Sequence, residues 1–114
     1  MIFFKNTVCE TDSSVINFQA IESDKIIGSC TLALGEKFAD VTELDYEEKS
    51  PYAVEGLLKS AYNYAALKNY YMAKCSVKDI DAFLERMNFK KIDEEYTSDI
   101  PTILMGSCNS CGGK

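Results

Sequence analysis

The feature that most constrains this chain is a change of hydrophobic period near residue 50. Ahead of it, Ile16, Phe18 and Ala20 alternate with Asn17 and Gln19. A period of two marks a half-buried strand. The stretches Ile26–Leu34 and Phe38–Tyr46 read as two further strands, separated by turn residues at Glu22–Asp24 and Gly35–Lys37. Residues 1–9, opening MIFF, form another strand ahead of the turn material ETDSS. The first half is therefore an antiparallel meander. Beyond Ser50, the residues Val54, Leu57, Leu58, Ala61, Ala65 and Lys68 recur at helical spacing. That predicts a helix over 51–68, with Ser50 as N-cap and Pro51 at the first helical position.

A strand over 70–75 follows. Ser76 and Asp79 have the spacing of a capping box. They introduce a second helix with the stripe Ile80, Phe83, Leu84 and Met87, ended by Asn88, a residue that tolerates the left-handed conformation. Strands at about 89–97 and 102–107 complete the order β-β-β-β-α-β-α-β-β. The fold class is α/β, in the α+β sense. We expect one domain over 1–107, with a mixed, mostly antiparallel sheet of six or seven strands and two main helices. A small-residue tail, 108–114, follows it. The strand–helix–strand unit around residues 38–75 implies parallel strands joined by a right-handed crossover. Ligands in such units lie beyond the strand ends, beside the helix N-terminus.

Composition excludes several functions. The net charge of −6 over 114 residues opposes nucleic-acid and anionic-membrane partners, which need clustered Lys and Arg. The apolar start is too short for a signal-peptide core, and no stretch is long enough to span a membrane. Five cysteines without a secretory context suit a reducing cytoplasm. Histidine is absent, which removes Ser–His and Cys–His catalysis and imidazole metal sites within the chain. The tyrosines 62, 64, 70 and 71 suit core packing or a homodimer surface.

From about Val15 to Cys108 the sequence resembles the GNAT superfamily of acyl-CoA-dependent N-acetyltransferases. FADVTELDY resembles the strand before that family's cofactor loop, and KSPYAVEGLLKSAYNYA falls where its phosphate loop and following helix lie. DAFLERMNFKKI resembles its helix–glycine–phenylalanine motif, with Asn88 at the glycine. The resemblance implies an acyl-CoA cofactor and a small-molecule or peptide amine as acceptor. Lys49, Ser50, Tyr52, Ala53 and Val54 would hold the phosphates, through Lys49 and free N–H groups at the helix start. Backbone groups near Leu44 to Tyr46 would face the thioester, and Asp40 or Glu43 would relay a proton. The departures are as clear. Tyr52 and Val54 stand where the family has glycines, Pro51 lacks an N–H, and Glu47 and Glu48 oppose an anion. Leu84 replaces a frequent catalytic tyrosine, and Val77 or Lys78 a frequent asparagine. The two helices that usually follow the first strand have no room, which implies an open acceptor side.

Each feature also has a plainer reading. The loop at 49–54 could be a Ser-Pro helix start without a ligand. Asp40 and Glu43 could be solvent-facing carboxylates, and regular alternation would put them on opposite faces. Cys108 and Cys111 have CxxC spacing, which suits a thiol redox pair or half of a zinc site that Cys30 or Cys75 would complete. The second functional class is thus a catalytically inactive GNAT-fold module working through those thiols. Cys75 would lie near the cofactor thiol or serve as a small buried hydrophobe.

Overall fold

The computed structural model describes residues 2–8, 11 and 14–104. Its seven strands form one sheet in the order β1-β2-β3-β4-β5-β7-β6. They are β1 (Ile2–Val8), β2 (Val15–Glu22), β3 (Lys25–Leu34), β4 (Phe38–Tyr46), β5 (Met72–Cys75), β6 (Lys90–Ile92) and β7 (Glu95–Asp99). β1 to β4 are the expected meander, and β4 and β5 are the parallel pair joined through α1 (Tyr52–Leu67). α2 (Asp81–Arg86) follows β5.

Alternation decides which side of the meander is covered. Ile16, Phe18, Ala20, Cys30, Leu32, Ala39 and Val41 point to one face and are buried there. α1 supplies the other half of that core with Val54, Leu57, Leu58, Ala61, Tyr62 and Ala65, the one-sided stripe of a half-buried helix. α2 adds Leu84 and packs on the same side. The Tyr62 ring of α1 packs at a tilt against Phe89 just after α2, 5.7 Å apart, and Tyr96 of β7 donates to Asp81 at 2.9 Å. The opposite face of the meander carries Asn17, Ser29, Thr31, Glu43 and Asp45, all exposed or half-buried. No described element covers it.

α1 lies close against the sheet where side chains are missing. A Cβ at Gly28 of β3 would stand 3.0 Å from Leu57 Cδ1 and 3.1 Å from the Asp45 carbonyl oxygen. A Cβ at Gly56 of α1 would come within 2.3 Å of Phe4 Cζ, so the Phe4 ring of β1 rests on that glycine. Tyr62 is buried and donates its hydroxyl to the Lys74 carbonyl at 2.7 Å, tying α1 to β5. Tyr64 meets Phe18 edge-on, whereas Tyr71 is exposed, so the tyrosines do not form one surface.

Three expectations need correction. The stretch 89–97 is not one strand. Asp93 and Glu94 take positive φ (52° and 68°) and fold it into the β6–β7 hairpin, the torsions of a tight two-residue turn. Residues 100–104 are helical, where a strand over 102–107 was expected. Asp99 caps that turn by accepting from the Thr102 amide at 3.1 Å and the Thr102 hydroxyl at 2.6 Å, and Ile100 and Ile103 bury beneath it. The Ser76–Asp79 capping box does not form. α2 begins only at Asp81, and the Ser76 hydroxyl binds Asp40 instead. Asn88 does adopt the left-handed conformation, φ 71°.

Candidate functional site

β4 and β5 pair over only four residues, from Phe38↔Met72 to Val41↔Cys75. The Ser76 amide donates once more, to the Val41 carbonyl at 3.0 Å. Past that rung the two chains part. From Thr42 to Tyr46, β4 pairs with β3 alone, and its other edge has no strand partner. A groove of about 460 Å³ opens at the split. It is bounded by Thr42, Glu43, Leu44 and Asp45 of β4 on one side and by Ser76, Val77 and Lys78 on the other. On the helix-bearing face, the rings of Tyr46 and Phe83 meet edge-to-face across the split, 6.2 Å apart.

The split coincides with a bulge. Thr31 pairs with Glu43 while the next residue, Leu32, pairs with Val41, so Thr42 is the extra residue. A bulge of this kind bends the strand and resets which side chains share a face. Asp40 pairs with Ala33 and Glu43 with Thr31. Ala33 and Thr31 are two residues apart on β3 and point the same way, and their partners therefore do too. The expectation that Asp40 and Glu43 face opposite sides is corrected: both look out from the uncovered face.

Their surroundings differ. Both oxygens of Asp40 accept from the Ser76 hydroxyl, at 2.8 and 3.1 Å, across the last rung before the split. Glu43 lines the groove and accepts from the Thr31 hydroxyl at 3.3 Å. Thr31 in turn accepts from the Asn17 amide at 3.4 Å. Leu44 and Tyr46 point to the helix side, opposite Cys30 and Gly28 of β3.

The start of α1 is only partly the anion site that the resemblance implies. Pro51 has helical torsions, φ −63° and ψ −21°, but α1 begins at Tyr52, so Pro51 rather than the expected Ser50 is the N-cap, and no side chain caps the helix. The amides of Ala53 and Val54 donate to the Ser50 and Pro51 carbonyls at 3.0 and 3.1 Å. They are not free for a phosphate, which corrects the expectation of free N–H groups at Ala53 and Val54. Ser50 itself is buried. Tyr52 sends its hydroxyl to Glu22 at 2.8 Å, and Glu47 pairs with Lys25 at 3.0 Å, so the loop is fastened to the β2–β3 hairpin. That pairing offsets one of the two opposing carboxylates. Lys49 is exposed.

Cys30 and Cys75 are buried, free thiols. Burial is the main cause that pushes Cys30 up to about 12 and Cys75 up to about 11, so both are protonated at neutral pH. Cys75 is the small buried hydrophobe of the plainer reading. Among the described residues no group of three His, Cys, Asp or Glu is placed to hold a metal, and no helix is long and apolar enough to cross a membrane. Cys108 and Cys111 lie outside the described residues.

No family model and no curated protein matches the sequence. Solved structures do match the fold. A GNAT-family protein from Desulfovibrio desulfuricans superimposes with a TM-score of 0.71 over 88% of this chain and 99% of its own, at 11% identity. A GNAT family acetyltransferase from Elizabethkingia anophelis, solved with acetyl-CoA bound, gives 0.65 over 81% of this chain and 78% of its own, at 16% identity. Tetrahymena GCN5 gives 0.63 over 78% and 70%, at 13% identity. The chain therefore has the GNAT fold, as its sequence resemblance implies.

Proposed function

We propose that the protein binds an acyl-CoA at the β4–β5 split and transfers the acyl group to an amine. One observation carries this reading. The split leaves the Thr42–Tyr46 edge of β4 unpaired beside a groove that Glu43 enters. An unpaired strand edge holds an extended, amide-bearing chain by main-chain hydrogen bonds. The pantetheine arm of CoA is such a chain, so the residues present fit that part of the cofactor. Lys49, exposed in the segment after β4, is the cation we assign to the phosphates.

Bound there, the cofactor supplies an acyl group activated as a thioester. The protein orients it through the backbone of Leu44 to Tyr46, whose N–H groups polarise its carbonyl. Glu43 would take the proton from the incoming amine, directly or through one water, and as the new C–N bond forms the C–S bond would break, with CoA leaving as a thiolate protonated by solvent, since Leu84 has no proton to give. Asp40, held by Ser76, fixes the point where the strands part. The uncovered face admits the acceptor. The test is a thermal shift series with acetyl-CoA: a ligand at 100 times its Kd adds about 2.7 kcal/mol. No shift at millimolar acetyl-CoA would remove the reading.

A further inference from the structure

Arg86 is the only arginine in the chain. It closes α2, is exposed, and holds its guanidinium carbon 5.2 Å from the centre of the Phe83 ring. Phe83 in turn meets Tyr46 at the end of β4. A chain of contacts, Arg86 over Phe83 and Phe83 edge-to-face with Tyr46, thus links a cation on α2 to the end of β4, three residues before Lys49. Lys25, Lys59, Lys74 and Lys91 each sit beside a carboxylate. Among the described residues Arg86 has no such partner.

A guanidinium stacked on a ring loses little hydration there and keeps its N–H edge free, and that edge takes two phosphate oxygens at once. The loop before α1 is poorly equipped for the same task. Pro51 has no N–H, the Ala53 and Val54 amides are turned into the helix, and Glu48 adds negative charge. We infer that Arg86 grips the phosphates of CoA from the α2 side, with Lys49 opposite, in place of the missing loop amides. The inference rests on the acyl-CoA reading above and names a residue of that site.

The test is calorimetric binding of CoA and of pantetheine, which lacks the phosphates, to the wild type, Arg86→Gln and Arg86→Lys, with melting curves to establish folding. A charge-assisted contact of this kind predicts about ten- to hundredfold weaker CoA binding in Arg86→Gln, with pantetheine unchanged. Arg86→Lys keeps the charge but loses the fork, and should fall between the two. Equal CoA affinity in the wild type and Arg86→Gln overturns the inference, as does an equal loss for both ligands. A wild type that binds pantetheine as tightly as CoA overturns it while leaving the strand-edge site standing. A wild type that binds neither ligand overturns the acyl-CoA reading itself.

Discussion

The Ser76 hydroxyl donates to both oxygens of Asp40, at 2.8 and 3.1 Å, at the last point where β4 and β5 are joined. The contact is partly exposed, so its net worth is modest. Ser76→Ala should cost about 1 kcal/mol in a denaturant melt. It should also raise amide exchange at Val41 and Ser76 more than in the β2–β3 ladder. Equal exchange changes in both places would show that the pair does not secure the split.

Glu43, not Asp40, borders the groove. Glu43→Gln should slow acyl transfer to an amine about a hundredfold, the usual worth of a positioned proton acceptor, with acetyl-CoA affinity unchanged. Asp40→Asn should act mainly on stability. Steady-state kinetics beside melting curves separate the two, and a larger rate loss in Asp40→Asn would reverse the assignment.

The Phe4 ring occupies the place of a side chain at Gly56. Gly56→Ala gains about 1 kcal/mol of helix propensity but has to displace that ring. We expect a net gain well below that figure. In a Phe4→Ala background the same substitution should give the full gain. A double-mutant cycle measures the difference, and additive effects would mean that the ring shifts without cost.

Cys30 and Cys75 titrate at about 12 and about 11 when folded, against 9.0 for an unburied thiol. Their folded pKa values are raised, so the neutral thiols stabilise the fold fully below pH 9, and that contribution is lost as pH rises toward the folded values. Between pH 9 and about 11, stability should fall by about 1.4 kcal/mol per pH unit for each thiol. Urea melts of the wild type and of Cys30→Ala at pH 8 and pH 10 measure this. An identical pH slope in the two proteins would refute it. At pH 8 neither thiol should react with an aromatic disulfide until the chain unfolds.

Much of this was legible in the sequence, for identifiable reasons. Alternation in β2 and helical spacing in α1 are strong local signals, and Asn88 marked its own turn. The closing segment was misread because Pro101 preceded an apolar run. The Asp99 side chain caps a turn there, a contact that no periodicity carries. The capping box failed for a related reason, since the partner of Ser76 lies 36 residues away. In the site, the strand and loop were locatable, but the inward turn of the Ala53 and Val54 amides was not. The role of Arg86 also escaped the sequence. It depends on Phe83 and Tyr46 meeting across elements that are 37 residues apart in sequence.

Thr42 gives β4 its bend, and the wet and dry sides of the strand are already in step across it. Remove it and Glu43 would follow Val41 directly, opposite Thr31 and Leu32 in unbroken alternation: Glu43 and Asp45 would still look out to water, and Leu44 and Tyr46 would still turn under the helices. A deletion at this point would straighten the strand while leaving every side chain on the face it now holds, and so would separate what the bend does from what the side chains do.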